Sequence, residues 1–241
     1  MENFKEILKE EAKKYNKIEL TDKMLEKFEI YKNILLKWNE NINLTAITNE
    51  YDIILKHFVD SLEIVKYIKE DQNVIDVGTG AGFPGIVIAI YFNGNINITL
   101  LDALDKRIKF LNEVIESLEL KNVKTVHGRA EEISRNELYR EKFDVSTARA
   151  VSSLNTLLEF NSPFVKIGGK CLLLKSEKID SEIFNSKKAL ELLKCSIVNK
   201  YNYSYKANNE EYKRYILDIV KIEKTPSKYP RNFGKIKKNP L

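Results

Sequence analysis

One stretch constrains the fold more than any other. Residues Val74 to Gly85 read VIDVGTGAGFPG. A short apolar run carries a single acid, Asp76, and ends in a turn with Gly78, Gly80, Gly82 and Gly85. A second apolar run, Ile86 to Phe92, follows at once. Glycines tolerate positive φ and let a ligand approach the backbone closely. Strand, glycine turn and buried helix together describe the first βα unit of an open α/β sheet, where ligands sit at the carboxyl ends of the strands. Pro84 suits the first helical position, and free N–H groups at the helix start are expected to face the ligand.

The remaining chain is consistent with such a sheet. Strand-like runs are expected at Asn73–Val77, Ile96–Leu101, Val123–Val126, Phe143–Thr147, Lys170–Leu174, Ser196–Tyr203 and Tyr215–Lys221. Helical patterns fill the gaps at Pro84–Tyr91, Asp105–Leu118, Leu154–Val165 and Ser181–Leu193. Five strand–helix alternations predict a parallel sheet with right-handed crossovers. The last two strands have no helix between them, which predicts a terminal antiparallel hairpin. The first seventy residues have a different texture and read as a helical extension ahead of a domain spanning 71–241. Phe4, Ile7, Leu8, Ala12 and Tyr15 recur at helical spacing. Thr21 is the expected cap of a helix with Leu25, Phe28, Tyr31, Leu35 and Trp38 on its apolar face. Helices are also expected at Tyr51–His57 and Ser61–Ile68, the latter capped by Asp60. Trp38 and His57 read as packing residues.

Composition sets the outer bounds. A chain of 241 residues buries enough surface to fold without disulfides or metal. Cys171 and Cys195 lack CxxC spacing, and Cys171 lies in an apolar run, so a reduced cytoplasmic protein is expected. The N-terminal stretch has no apolar core of a secretory signal, and no run approaches the ~20 apolar residues that span a membrane. Nothing in the sequence calls for an oligomer or a metal, and a monomer is expected. The net charge is +5, but its distribution says more. Between Lys221 and Leu241 stand Lys221, Lys224, Lys228, Arg231, Lys235, Lys237 and Lys238, against one acid, Glu223. With Tyr229 and Phe233 interleaved, this tail suits either a phosphate backbone partner or plain solvation.

Two ligands compete for the glycine turn. Gly80-x-Gly82-x-x-Gly85 satisfies the dinucleotide pattern, so an NAD-type oxidoreductase is one reading. S-adenosylmethionine is the other. A diphosphate gains nothing from Asp76, whereas an acid there can pair with the ammonium of S-adenosylmethionine. Asp102, at the end of the second strand, can accept hydrogen bonds from a ribose diol, which both ligands have. The terminal hairpin favours the seven-strand methyltransferase sheet. Ala130 and Glu131, beyond the third strand, are placed to wall and contact an adenine; the simpler reading is a helix start with acids in its first turn.

The fourth strand ends in Thr147-Ala148-Arg149-Ala150. Among methyltransferases, those acting on exocyclic amines carry an Asp/Asn-Pro-Pro-aromatic segment there, and this chain has none. Ribose 2′-hydroxyl enzymes often place an aspartate there within a Lys-Asp-Lys-Glu set, where this chain has Arg149, and neither cysteine suits a ring-carbon nucleophile. What remains is a nucleophile that needs no deprotonation, and guanine N7 is one. No catalytic base is then required. Arg149 is expected to contact cofactor or phosphate, because a bidentate arginine on guanine O6 and N7 would block the attacking atom. A non-catalytic RNA-binding module on the same fold is a third reading.

Several segments together resemble the bacterial 16S rRNA (guanine-N7) methyltransferases, the RsmG or GidB family. They are Trp38-Asn39 with Asn43-Leu44-Thr45, His57-Phe58-Val59-Asp60-Ser61-Leu62, Asp76 through Gly85, Gly128-Arg129-Ala130-Glu131-Glu132, Thr147-Ala148-Arg149-Ala150, Leu174-Lys175, and the tail from Pro230-Arg231-Asn232-Phe233-Gly234 to Asn239-Pro240-Leu241. The resemblance implies a class I, Rossmann-like sheet and S-adenosylmethionine-dependent methylation of one guanine in 16S rRNA. It places Gly78, Phe83, Asp102, Ala103, Leu104, Ala130, Glu131 and Arg149 on the cofactor, beside the Asp76–Gly80 turn. It places Arg129, Lys175 and Arg231 near RNA, to which the basic tail adds Lys237 and Lys238. One position departs: Ile236 stands where the family tail often has proline.

Overall fold

The computed structural model describes residues 4–149, 152–208 and 210–241. Ala150, the last residue of the strand-four motif, lies outside the described residues. Seven strands form one sheet: β1 Asn73–Val77, β2 Asn97–Asp102, β3 Val123–His127, β4 Phe143–Arg149, β5 Val165–Lys175, β6 Cys195–Ala207 and β7 Glu210–Lys221. Their order is β3-β2-β1-β4-β5-β7-β6. The first five run parallel. β7 is antiparallel to both β5 and β6. The chain therefore runs out to the sheet edge in β6 and returns inside it, giving the expected hairpin in its methyltransferase arrangement. The order reverses at β1/β4, which makes the carboxyl end of β1 the switch point.

Among the described residues the helices are α1 Phe4–Glu11, α2 Asp22–Asn39, α3 Glu50–Ile53, α4 Asp60–Leu62, α5 Gly85–Phe92, α6 Asp105–Ser117, α7 Ala130–Ile133, α8 Leu154–Asn161, α9 Ile179–Asn185, α10 Lys187–Leu193 and α11 Phe233–Lys238. α5 explains the N-terminal helices. It is buried at Gly85, Ile86, Val87, Ile88, Ala89, Ile90 and Phe92, and a helix apolar all round must be covered on every side. The sheet covers one side and α2 the other. Phe58 joins these layers, with ring centroids 5.0 Å from Phe28, 5.6 Å from Tyr31 and 5.9 Å from Phe83 in the glycine turn. One core cluster contains Phe4 and Leu8 from α1, Phe28 and Leu35 from α2, Ile86 and Ile90 from α5, and Ile216 from β7. The change of texture at residue 70 is thus not a break in the core.

Several expected boundaries shift, each for a physical reason. Asp60 does not cap a helix. It has helical φ and ψ within a continuous helical run from Glu50 to Tyr67 that includes a π-turn at Ile54–Val59, and its carboxylate bonds to residues distant in sequence. Pro84 precedes the first helical residue and follows a cis peptide. Helix Leu154–Val165 stops at Asn161, because Ser162-Pro163-Phe164 forms a 3-10 turn and proline cannot donate the next helical bond. β5 begins at once, and its register against β4 slips between Val165 and Lys170. Gly169 allows that slip: a Cβ there would lie 2.7 Å from the Asp144 carbonyl oxygen. The helix expected at Ser181–Leu193 is broken at Ser186, whose hydroxyl donates to the Glu182 carbonyl at 2.7 Å, an interaction that bends helices. Thr21 caps α2 as expected, accepting from the Met24 N–H at 3.3 Å.

Candidate active site

The glycine turn is organised from within. Gly78, Gly80 and Gly82 have φ of 69°, 61° and 91°, a left-handed path that other residues adopt only under strain. The N–H groups of Gly78 and Thr79 donate to the Leu101 carbonyl, those of Gly82 and Phe83 to the Thr79 carbonyl, and that of Ile86 to the Gly82 carbonyl. Gly80 N–H donates to Asp102 Oδ2 at 2.9 Å and Gly85 N–H to Asp76 Oδ2 at 2.9 Å. The expectation of free N–H groups facing a ligand is therefore corrected for these seven donors, Gly85 and Ile86 at the helix start among them, which are bonded to the protein. This leaves the turn few donors with which to hold a diphosphate, which counts against the dinucleotide reading.

Asp76 is fully buried. Its Oδ2 also accepts from the Thr79 hydroxyl at 2.7 Å, while Oδ1 is buried without a hydrogen-bond partner. Burial, opposed by those bonds, pushes its pKa up to about 6. Asp76 thus braces the turn from below. Asp102 is the second brace and reaches the cleft as well. Its Oδ1 accepts from Leu104 N–H at 3.0 Å, and its Oδ2 lies 3.2 Å from an Arg107 guanidinium nitrogen.

A cleft of about 120 Å³ opens at the ends of β1, β2 and β3. Gly78, Asp102, Ala103, Ala130 and Glu131 line it, as expected; so do Arg129, Gly128, Leu157, Phe160 and Phe233, of which the sequence singled out only Arg129 for contact with a ligand, and that ligand was RNA. Gly128 has a φ of 156°, and a Cβ there would come within 2.8 Å of the Ile133 side chain, which would have to shift. Burial raises the pKa of Glu131, opposed by the nearby Arg129 charge. Two carboxylates, apolar walls and a small-residue floor fit a nucleoside without phosphates. S-adenosylmethionine meets that description: Asp102 would hold its ribose and Ala130 and Glu131 its base. Leu104 is exposed at the start of α6 and does not line the cleft.

Phe83 and Arg149 lie on the other side of the turn. Phe83 stacks on His57 with centroids 4.5 Å apart, and the Arg149 guanidinium sits 4.8 Å from the Phe83 ring. Arg149 donates to the Lys56 carbonyl at 2.8 Å, to Asp60 Oδ2 at 2.9 Å and to His57 Nδ1 at 3.0 Å. Arginine only donates, so His57 Nδ1 accepts and its Nε2–H donates to Thr45 Oγ1 at 2.8 Å. Burial first, and the Arg149 charge second, push the His57 pKa down to about 3, so the imidazole is neutral. Tyr203 donates to Asp60 Oδ1 at 2.9 Å, and Arg214 approaches the same oxygen at 3.5 Å. This network floors a second cavity of about 720 Å³ at the ends of β4 and β5, lined also by Lys56, Lys175, Glu182 and Tyr212. The block from His57 to Asp60 was the sequence signal for it; no local pattern announced Arg214 or Tyr212.

The candidate RNA residues differ in their freedom. Lys175 is held by Glu182 at 2.5 Å and by the Ser152 carbonyl at 2.9 Å. Arg231 is clamped to the fully buried Glu159, with Nε 2.9 Å from Oε1 and Nη2 2.7 Å from Oε2, and Nη1 donates to the Asn239 carbonyl. It therefore anchors the tail. Ile236, the departure from the family tail, is fully buried in a cluster with Val77, Leu101 and Phe160. Arg129, Lys237 and Lys238 are exposed.

Known proteins agree with this geometry. A family model described as rRNA small subunit methyltransferase G matches residues 24–216. A ribosomal RNA small subunit methyltransferase G from Acetivibrio thermocellus is 50% identical over 228 residues, covering 93% of this chain and 91% of that protein. Its counterpart from Alkaliphilus oremlandii is 46% identical over 239 residues, 98% of each chain. Among solved structures, a SAM dependent methyltransferase from Aquifex aeolicus aligns with a TM-score of 0.53 at 18% identity, covering 70% of this chain and 93% of that one. Pyrococcus horikoshii TYW2 in complex with MeSAdo aligns with a TM-score of 0.52 at 18% identity, covering 67% and 61%. The structural matches establish the fold, a class I methyltransferase sheet, and the sequence matches go further: the chain belongs to the GidB family, that of rRNA small subunit methyltransferase G.

Proposed function

We propose that this S-adenosylmethionine-dependent methyltransferase acts in the cytoplasm on N7 of one guanine in 16S rRNA, by direct in-line transfer without a general base. The observation that carries this reading is a pair of cavities beside one turn: Gly78 lines the smaller, and His57 and Arg149, packed on Phe83, line the larger. The smaller, with Asp102, Ala130 and Glu131, suits the cofactor; the larger, with Arg149 and Lys175, suits the target nucleotide. The cofactor supplies a methyl group on a sulfonium; the in-plane lone pair of guanine N7 takes it, positive charge passes from sulfur to purine, and no proton has to be removed. The chain's own groups match that economy. Asp60 is committed to Arg149 and Tyr203, Glu182 to Lys175, and His57 is a neutral ring with both nitrogens bonded. None of these groups around the larger cavity is poised as a base. What the residues do is hold two ligands in fixed relation, and such positioning can supply about 7–11 kcal/mol. Gly78, Gly80 and Asp76 shape the turn, Ala103 lines the cofactor cleft, and Arg149 keeps Phe83 in place beside the larger cavity. Arg129, Lys175, Lys237 and Lys238 contact RNA, with Arg231 presenting the tail that carries two of them.

Mass mapping of methylated nucleosides on 16S rRNA, from cells with and without the protein, tests the assignment. One 7-methylguanosine is expected to disappear with the protein. Methylation appearing at an exocyclic amine or a ribose hydroxyl would overturn it.

A further inference from the structure

The tail forms a second groove, of about 500 Å³, between itself and α7. Five cations line it: Arg129, Arg135, Lys228, Arg231 and Lys235. Glu131 and Glu132 are the acids. Arg231 is neutralised by Glu159, but Lys228 and Lys235 make no ion pair among the described residues, and Arg129 is only 4.0 Å from Glu131 with half its side chain in solvent. The tail beneath is fixed by Ile236 and by the Arg231–Glu159 clamp. The groove is therefore a built, net-positive surface of a kind that suits a phosphodiester backbone.

The groove and the cofactor cleft share a wall. Phe233, Arg129 and Glu131 line both. Arg129 lies over the Phe233 ring, 4.5 Å from its centroid. Val77, Leu101, Asp102, Leu157 and Phe160 give the cleft buried walls on β1, β2 and α8, whereas Phe233 is 40% exposed and Arg129, stacked on it, is exposed too. At about 120 Å³ the cleft is smaller than the roughly 300–1,000 Å³ of usual ligand pockets. A nucleoside would be enclosed more fully if a wall moved, and the exposed Phe233 ring has room to do so.

We propose that this groove takes the phosphate backbone of the substrate RNA, and that Phe233 is a positioning residue through which RNA and cofactor strengthen each other's binding. The proposal rests on the methyltransferase reading above. A phosphate that fixes Arg129 also fixes the ring stacked beneath it, so the wall is ordered once for both ligands. Linkage then requires the effect to be reciprocal.

Calorimetric titration of S-adenosylhomocysteine, with and without small ribosomal subunits lacking the methyl mark, tests this. In the wild type the subunits are expected to tighten S-adenosylhomocysteine by at least about fivefold, the lower end of usual couplings. Phe233→Ala should abolish that factor, and Phe233→Tyr should restore it. Lys228→Ala with Lys235→Ala should weaken subunit binding and flatten its salt dependence. An active wild type whose cofactor affinity ignores the subunits overturns the coupling, as does Phe233→Ala with the coupling intact. An unchanged salt dependence overturns the groove. A wild type that transfers no methyl group overturns the parent reading as well.

Discussion

Asp60 is a buried charge shared by two arginines. Its side chain is 6% exposed and faces Arg149, 13% exposed, at 2.9 Å. It also accepts from Tyr203 and faces Arg214, which is 27% exposed. Asp60→Asn keeps the shape but leaves two guanidinium groups without their counter-charge. Breaking a buried pair from one side costs about 3–5 kcal/mol. Arg214 retains solvent and Arg149 keeps its bonds to Lys56 and His57, so the lower figure, about 3 kcal/mol, is expected. For a chain of this length each kcal/mol lowers Tm by about 2–4 °C, giving a fall of roughly 6–12 °C. Thermal and urea unfolding at pH 7.5 measure it. The companion experiment is Asp60→Leu with Arg149→Leu. Removing both charges should be less destabilising than the sum of the two single changes, because neither then strands the other. A loss under about 1 kcal/mol for Asp60→Asn, or strict additivity in the pair, would show that solvent already screens this network.

Further outcomes follow from the turn and tail. The folded-state pKa of Asp76 is raised to about 6, so the fold binds its proton more tightly than the unfolded chain. Its contribution to stability is present at low pH and lost as pH rises toward and through 6; Asp76→Asn should remove that slope, read as the difference between wild type and variant in urea midpoints at about pH 4.5, 6 and 7.5. Gly85→Ala puts a Cβ 2.3 Å from a Leu100 methyl and 2.9 Å from Asp76 Oδ2, and overpacking of this kind costs about 1–3 kcal/mol, measurable by thermal denaturation. Asp102→Ala removes an ionised acceptor; at about 1.5–3 kcal/mol per such bond, S-adenosylhomocysteine affinity in calorimetry should fall about 10- to 150-fold, and undiminished binding would take Asp102 out of the site. Replacing Lys237 and Lys238 with alanine should weaken RNA binding evenly across sequences and reduce the salt slope by about one for each phosphate left unneutralised.

The fold was legible because local signals agreed with one another. The apolar strand ending in Asp76, the glycine turn and the all-apolar α5 admit few alternatives, and the missing helix before β7 marked the hairpin. Misread boundaries have two causes: a side chain whose partners are far away in sequence, and local side-chain bonds and prolines that hydrophobic periodicity does not register. Asp60 looks like a cap until Arg149 and Tyr203, 89 and 143 residues onward, claim its carboxylate. Ser186 breaks a helix by a bond that hydrophobic periodicity does not register. At the site, the small residues and acids of the cleft were readable from strand ends, since the fold delivers those ends to one place. Phe233 and Arg214 were not readable as lining residues, because only the tail's return onto α8 and the hairpin's return inside β6 bring them there. The bonded donors at Gly78, Gly80, Gly82 and Gly85 were also hidden, because the spacing of the glycines does not say where their N–H groups point.

The layer formed by α1, α2 and the run from Glu50 to Tyr67 has an implication for how this enzyme could be divided or recombined. Those segments close over α5, and Tyr31 donates its hydroxyl to the Ala81 carbonyl inside the glycine turn. A fragment starting at residue 71 would bare Ile86, Ile90 and Phe83 to water and leave the turn without its outer prop. Such a piece is expected to clump on expression instead of working as a portable catalytic cassette, and grafting the front helices of a distant cousin would have to match the Phe28–Tyr31–Phe58 surface before any RNA preference could be transplanted with them.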